Sequence, residues 1–222
     1  MKNLYVFALV EQAATPFSSA GHRVEFIEVE SVYAAVERRR QAPALSEGAL
    51  RAQHEVVAQL ADRVPAVLPA RFGAFVDAGE LGALVSRRRD AILASLALVR
   101  GRRQMTMRLL AADVPTLLAA MRITPGDGTG TTYLESRRAA AAALPIPGAL
   151  ADMSAAVRAY VVAERAEAGR GRVLASLYHL VEAADVASYK AAAARVQRGT
   201  EDGGLTVTGP WAPYAFAPDM WA

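Results

Sequence analysis

The stretch Leu4–Val10, with the sequence LYVFALV, decides the fold of the first half of the chain. Every residue in it is apolar, so the stretch lacks the two-residue alternation of a strand that exposes one face. The apolar run stops at Glu11 and is therefore too short to span a membrane as a helix. A strand that is covered on both faces has this pattern. The stretch predicts a central β-strand with other layers of structure around it.

The composition of the whole chain is that of a folded globular protein. The chain has 222 residues, of which 53% are hydrophobic and 21% charged, and this excludes a disordered or collagen-like protein. It contains no cysteine, which excludes disulfides, thiolate metal sites and a cysteine nucleophile. The formal net charge of +3 is too small to assign a partner by itself. Because the N-terminus lacks a signal-like or membrane-spanning segment, we expect a cytoplasmic protein with no membrane partner.

Beyond the first strand, the first half alternates β-rich and helical patterns. A β-rich stretch at Val24–Val36 breaks at Glu37. Two helices are predicted next, at Glu47–Val64 after the N-cap Ser46 and at Asp77–Val99. The apolar stripes expected to face the core are Leu50, His54, Val57, Ala61 and Val64 in the first helix, and Leu81, Val85, Ile92, Leu96 and Val99 in the second.

The second half begins after Gly101 and has a mixed pattern of strands and helices. Strands are predicted at Arg103–Ala111, Arg172–Glu182 and Leu205–Thr208, and helices at Val114–Met121, Thr132–Ala143, Leu150–Ala166 and Val186–Arg198. In the first of these strands Met105, Met107 and Leu109 alternate with polar residues, which predicts one buried face. The order of elements predicts an α+β fold with helices on one face of a sheet, and a domain boundary near residue 100.

The sequence contains no motif that predicts catalysis, a metal or a cofactor. The three histidines are scattered, and His54 and His179 are expected to be structural or interface side chains with hydrogen-bond partners. The Gly126–Thr132 loop could cradle a phosphate, but it lacks the lysine of a Walker motif and does not directly follow a strand. A flexible loop that ends in a threonine cap is the preferred interpretation. We therefore expect a protein that is not an enzyme, with no catalytic, metal-binding or cofactor-binding residue.

Two irregular segments supply the candidate binding residues. In Val67–Gly73, Arg71 is a lone charge among apolar residues, and its guanidinium would suit a carboxylate or several backbone carbonyls. The end of the chain, Gly209–Pro218, is rich in proline and aromatic residues and should lie extended on another surface. The candidates are Pro69, Arg71, Phe72, Trp211, Tyr214 and Phe216. They either hold two domains together or contact a partner.

Taken together, these motifs resemble the gas vesicle protein F/L family (GvpF/GvpL). The resemblance extends from residue 5 to residue 216, and the Gly-Pro-Trp motif near the end of the chain is its most specific part. The segments that carry it are Tyr5–Ala8, Leu50 with His54, Val67–Gly73, Gly130–Leu134 with Arg137 and Arg138, and Gly209–Phe216.

The resemblance implies a cytoplasmic, gas vesicle-associated accessory protein with a three-part organisation. The parts are an N-terminal α+β domain at 1–100, a modified ferredoxin-like domain at 101–208 and an extended tail at 209–222. The implied partner is the small hydrophobic shell protein, which is GvpA-like, along with other gas vesicle accessory proteins, and the implied role is to keep that protein soluble or to nucleate the shell. The alternative is a basic ferredoxin-like module that binds RNA or DNA, which would need exposed aromatic residues flanked by arginine on its sheet.

Overall fold

The described part of the computed structural model consists of residues 3–110, 148–169, 171–197 and 204–220, and the chain forms two compact units. Unit 1 comprises the residues up to Arg103 together with those from Trp211 onward, and unit 2 comprises Gln104–Pro210. The chain therefore returns to unit 1 for its last residues. The predicted helices at Val114–Met121 and Thr132–Ala143, and the glycine-rich loop before the second of them, lie outside the described residues.

Unit 1 contains a six-stranded sheet built around the first strand. The strands are β1 (Leu4–Val10), β2 (Phe17–Ser19), β3 (His22–Val29), β4 (Val32–Arg38), β5 (Val67–Pro69) and β6 (Phe75–Val76). Their order is β2-β3-β4-β1-β5, and β6 also pairs with β1. Every residue of β1 is buried, which confirms the predicted central strand.

The predicted β-rich stretch at Val24–Val36 is two strands joined by a tight turn. Val29 pairs with Val32, and Glu30 between them has a φ of 56°, the left-handed conformation that such turns require. The predicted break at Glu37 is wrong, because Glu37 pairs with Tyr5 of β1 and the strand continues to Arg38. The charged end of β4 remains in the sheet because the buried β1 supplies its hydrogen-bond partners.

Two helices cover this sheet, and both begin at capping residues that the sequence shows. In α1 (Glu47–Arg63) the Ser46 hydroxyl accepts a hydrogen bond from the Ala49 amide at 3.1 Å. In α2 (Ala78–Val99) Asp77 and Glu80 form a capping box. The buried residues of α2 are those of the predicted stripe, so that prediction is confirmed.

The inward face of α1 matches the predicted stripe in part, because Val57, Ala61 and Val64 are buried as predicted but Leu50 and His54 are not. Leu50 is 45% exposed, and His54 is only half-buried. The buried residues of α1 are Gln53, Val56, Val57, Leu60 and Ala61. Gln53, which hydrogen-bonds to the Ala70 carbonyl, faces inward in the first half of the helix, where Leu50 is exposed and His54 is half-buried.

Unit 2 has a four-stranded sheet with the connectivity of a ferredoxin-like domain. Its elements are β7 (Arg102–Leu110), α3 (Gly148–Val157), β8 (Val161–Ala168), β9 (Val173–Glu182), α4 (Val186–Gln197) and β10 (Leu205–Trp211). The described elements follow the order β-α-β-β-α-β, and the strands lie side by side as β10-β7-β9-β8. The predicted α+β class is therefore confirmed.

The predicted helix at Leu150–Ala166 is wrong in its second half. Helix α3 ends at Val157, and the chain forms strand β8 from Val161. The sequence Ala163–Ala168 favours a helix on local propensity, but the strand pairs along its length with β9. Pairing with a neighbouring strand outweighs a local preference of a few tenths of a kcal/mol per residue.

Strand β7 is also more buried than predicted. Gln104 and Thr106, on the face expected to be exposed, are both buried, and the Gln104 Nε2 donates to the Thr106 Oγ1 at 3.2 Å. The strand lies between β10 and β9, so it occupies the middle of the sheet. Its buried polar pair is tolerated because each side chain satisfies the other.

Strand β10 continues past the predicted end at Thr208, and Gly209 is required within it. Its φ is +121°, and a Cβ there would lie 2.8 Å from the Gln104 carbonyl oxygen. We expect Gly209→Ala to lower the free energy of unfolding by about 1–3 kcal/mol through backbone strain, measured by urea denaturation. Gly48→Ala is the control, because a Cβ meets nothing within 4 Å there. An unchanged urea midpoint for Gly209→Ala would show that alanine at this position introduces no backbone strain.

Candidate functional site

The predicted binding residues meet on unit 1, where the chain end returns to it. We call Pro69–Gly73 the loop segment and Trp211–Met220 the tail. Strand β5, which ends at Pro69, contacts the short 3₁₀ turn Tyr214–Phe216 of the tail. The Arg71 Nη1 of the loop segment also lies 3.5 Å from the Asp219 Oδ1 of the tail. The structure thus brings together two segments that are far apart in sequence.

A buried hydrogen-bond network holds the loop segment in place. The Tyr5 hydroxyl donates to the Gln53 Oε1, and the Gln53 Nε2 donates to the Ala70 carbonyl at 3.0 Å. The Ala70 amide donates to the Phe7 carbonyl at 2.8 Å. Burial raises the pKa of Tyr5, so its hydroxyl stays protonated and able to donate. Strand β1, helix α1 and the loop segment are therefore fixed relative to one another.

The three candidates of the loop segment have different environments. Pro69 is buried and pairs with Ala8 of β1. The half-buried Phe72 lies edge-on to the Tyr5 ring, with 6.4 Å between the ring centroids. Arg71 is exposed, as is its partner Asp219, so this ion pair contributes at most about 1 kcal/mol. Pro69 and Phe72 support the surface, while Arg71 forms part of its rim.

The tail is held by buried apolar residues and presents two aromatic rings outward. Phe216 and Met220 are buried, and Ala212 belongs to the apolar core shared by β1 and α1. Trp211 and Tyr214, by contrast, are 36% and 37% exposed. Phe216 therefore serves as the main buried contact of the tail, and the other two rings contribute to the surface.

His54 lies against both exposed rings. Its ring is 5.2 Å from Trp211 in an edge-on arrangement and 6.2 Å from Tyr214 in a stacked one, measured between centroids. Partial burial raises the pKa of Tyr214, so its hydroxyl remains protonated at neutral pH. The histidine that was predicted to face the core instead links helix α1 to the aromatic residues of the tail.

The two exposed rings determine the chemistry that this surface offers. Trp and Tyr rings provide large, rigid apolar area and a polar N–H or O–H group at the edge. Within the described ranges, no group of three or more His, Cys, Asp or Glu side chains is placed to hold a metal. None of the helices in those ranges is long and apolar enough to cross a membrane.

A second cluster of polar residues surrounds His179, which is buried in unit 2. The Glu164 carboxylate can only accept, so the His179 Nε2 carries the proton and donates to it at 2.8 Å. The other ring nitrogen, Nδ1, then accepts from the Tyr189 hydroxyl at 2.8 Å, and the Ser154 hydroxyl donates to Glu164 at 3.0 Å. These residues come from α3, β8, β9 and α4. The prediction that His179 is structural and hydrogen-bonded is confirmed.

The His179 network makes the stability of unit 2 depend on pH. Burial lowers the pKa of His179 below its ordinary value of about 6.5, and the neighbouring Glu164 only partly opposes this shift. The unfolded chain therefore binds a proton at a higher pH than the folded one, and stability falls as the pH drops below about 6.5 toward the lowered pKa. Above that pH the contribution is complete. We expect a lower urea midpoint at pH 5.5 than at pH 7.5.

His179→Gln, whose side chain does not titrate, is the control for this prediction. Carboxylates elsewhere affect both proteins equally, so the difference between their two pH profiles isolates His179. If the urea midpoints of the two proteins change in parallel from pH 7.5 to 5.5, His179 is not the source of the pH dependence.

Comparison with known proteins agrees with the resemblance seen in the sequence. A family model described as "Gas vesicle synthesis protein GvpL/GvpF" matches residues 3–218. The crystal structure of the gas vesicle protein GvpF from Anabaena sp. PCC7120 is similar, with a TM-score of 0.71, 13% identity, and coverage of 98% of this chain and 97% of that one. The structure of GvpF from Microcystis aeruginosa gives a TM-score of 0.72 at 12% identity and covers 97% and 99%. At these identities the solved structures show a shared fold. No curated protein sequence matches the chain.

Proposed function

The chain belongs to the GvpL/GvpF family of gas vesicle synthesis proteins, and on this basis we propose that it is an accessory protein that binds the small hydrophobic shell subunit during vesicle assembly. It keeps this GvpA-like subunit soluble or nucleates the shell. It acts in the cytoplasm at the gas vesicle, alongside other accessory proteins. It works by binding alone, with no catalytic turnover, nucleotide or metal.

The shell subunit needs a binding partner because of the apolar surface that a gas vesicle wall must have. A wall that encloses gas presents an apolar surface to it, so each subunit exposes apolar area and unpaired strand edges before assembly. Such surfaces aggregate in water unless something covers them. A partner that binds the subunit reversibly prevents aggregation and still allows its release into the wall.

The observation that carries this proposal is the pair of exposed aromatic rings on unit 1. The rings of Trp211 and Tyr214 both lie against His54, and the buried part of the tail holds them in place. Aromatic side chains fixed on a rigid support commonly contribute most of the binding energy of a protein interface. Strand β5, which ends where the loop segment begins, contacts the 3₁₀ turn that carries Tyr214.

Capture of the shell subunit tests the proposal. We expect the tagged full-length protein, co-expressed with a GvpA-like shell subunit, to retain that subunit on purification and to bind it at micromolar concentration. The double variant Trp211→Ala, Tyr214→Ala should retain much less. Val162→Ala is the matched control, because Val162 is an exposed apolar residue of unit 2. If the unaltered protein does not bind the shell subunit at micromolar concentration, the proposal is wrong.

The rival nucleic-acid function has less support from the described residues. Tyr5 and Phe7, the aromatic residues of the first strand, are fully buried and cannot stack on bases. The same assay with an oligonucleotide distinguishes the two functions. Binding that weakens steeply with salt would favour the rival.

A further inference from the structure

The exposed apolar side chains of unit 1 extend the aromatic pair into a longer surface along helix α1. We propose that Leu45, Leu50, His54, Trp211 and Tyr214 form one docking stripe, and that its occupant is an uncharged apolar helix of the shell subunit. This inference rests on the proposed function. It adds where the subunit binds and which kind of segment it presents.

Continuity of the stripe follows from the geometry of α1. Leu45 directly precedes the N-cap Ser46, and Leu50 follows it by four residues. Apolar side chains at these two positions commonly pack against each other at the start of a helix. Leu50 and His54 are four residues apart and therefore share one face of the helix. His54 in turn contacts the rings of Trp211 and Tyr214. The stripe therefore runs from the start of α1 to the tail.

The concentration of exposed apolar residues on the stripe sets it apart from the rest of the described chain. Of the five large apolar side chains that the described residues leave exposed, four belong to it, and Leu45 is 76% exposed. The fifth, Val162, lies in unit 2. A cluster of this kind on one face marks an interaction surface more often than isolated exposed residues do.

The charges beside the stripe favour an uncharged occupant. Next to Leu50, Glu47 and Arg51 are paired at 2.6 Å. Beside the tail, Arg71 is paired with Asp219 at 3.5 Å. Glu55 follows His54, but it lies about 100° around the helix axis and belongs to the rim. In each pair the two charges neutralise each other. A charged segment bound to the stripe would therefore lose its hydration without gaining an ion-pair partner.

The backbone of the stripe favours a helical occupant over an extended one. Leu50 and His54 lie on helix α1 and Tyr214 lies in a short 3₁₀ turn, which offer no strand edge, whereas Trp211 is the last residue of strand β10. An extended segment buried against these helical residues would leave its own N–H and C=O groups without hydrogen-bond partners, which is unfavourable. A helix satisfies these groups internally and can place an apolar face alongside Leu50 and His54.

The test combines substitution on the stripe with capture of the co-expressed shell subunit. Leu50→Glu keeps a good helix former at an exposed position while placing a charge in the stripe. We expect it to reduce the affinity for the shell subunit by at least about tenfold. Leu50→Ala removes area without adding charge and should have a smaller effect of the same sign. Val162→Glu, the matched change in unit 2, should leave capture unchanged, and circular dichroism checks that every variant is folded.

The secondary structure of the occupant is tested with peptides. The chain has two tryptophans, so Trp221→Phe leaves Trp211 as the only fluorescent tryptophan. Peptides that span each apolar helix of the shell subunit should shift the Trp211 emission to shorter wavelength, and Leu50→Glu should remove the shift. A shift produced only by extended peptides from the same subunit would overturn the helical assignment.

The outcomes separate this inference from the proposed function. If the unaltered protein and Leu50→Glu capture the shell subunit equally, the stripe is wrong and the proposed function stands. If the unaltered protein captures nothing, both are wrong. If Leu50→Glu changes only the oligomeric state seen by light scattering, the occupant is a second copy of this chain and the inference is overturned.

Discussion

Replacing His179 with alanine is expected to destabilise unit 2 by about 3–5 kcal/mol, because the change combines a cavity with the loss of a buried hydrogen bond to Tyr189 and a partly buried one to Glu164. His179 is fully buried, and its ring bonds to Glu164 through one nitrogen and to Tyr189 through the other. Without the ring, the Tyr189 hydroxyl is left in an apolar core with no partner. Glu164 loses the donor that compensates its partial burial.

Hydrogen exchange of the full-length protein measures this effect locally. Amides of β8, β9 and α4 should exchange much faster in His179→Ala, because the network joins these elements. Tyr189→Phe removes one hydroxyl and little volume, so it should cost only about 1–2 kcal/mol. His22→Ala, a histidine of unit 1 paired with Glu37 at 2.9 Å, is the control that should leave unit 2 unchanged. Unaltered exchange in His179→Ala would show that the network contributes little to stability.

Elements whose pattern is set locally could be predicted from the sequence. The apolar stretch Leu4–Val10 and the spacing of the α2 stripe are confirmed. Ser46 is likewise confirmed as a cap. In each case the residues that define the element are close in sequence. Their local pattern already favours the strand, helix or cap that the folded protein contains.

Features that depend on distant residues could not be predicted. Strand β8 looks helical by propensity and forms a strand only because β9 pairs with it. The inward position of Gln53 on α1 involves a hydrogen bond to Ala70, seventeen residues away, which spacing alone does not reveal. The apolar spacing therefore predicts Leu50 and His54 in the core, although Leu50 is exposed and His54 is half-buried.

The buried network of unit 2 illustrates the same limit. His179 itself could be predicted to have hydrogen-bond partners, because buried polar groups rarely lack them. Its partners Glu164 and Tyr189 could not be identified, since Glu164 was placed in a helix and Tyr189 lies on another element. The signal in the sequence is that His179 shares the alternate positions of its predicted strand with the apolar residues Leu177 and Val181, which predicts a buried face. Sequence alone does not show which side chains meet that face.

Replacing Phe216 with alanine is expected to release the tail from unit 1, with a loss of about 3–5 kcal/mol from the local stability of the tail. Phe216 is 1% exposed and lies in the 3₁₀ turn that contacts β5. Because the tail contributes no strand to the six-stranded sheet of unit 1, its detachment leaves that sheet in place. The expected result is therefore local opening, seen as faster hydrogen exchange in 212–220 with little change in β1.

Release of the tail should also abolish capture of the shell subunit, because Trp211 and Tyr214 would no longer be fixed against His54. Phe216→Leu, which keeps most of the buried volume, should cost about 1 kcal/mol and retain capture. Comparing the two substitutions separates loss of packing from loss of the aromatic ring itself. If Phe216→Ala accelerates exchange in the tail yet captures the shell subunit normally, a fixed tail is not needed for binding. In that case the aromatic pair would not be the contact that carries the proposed function.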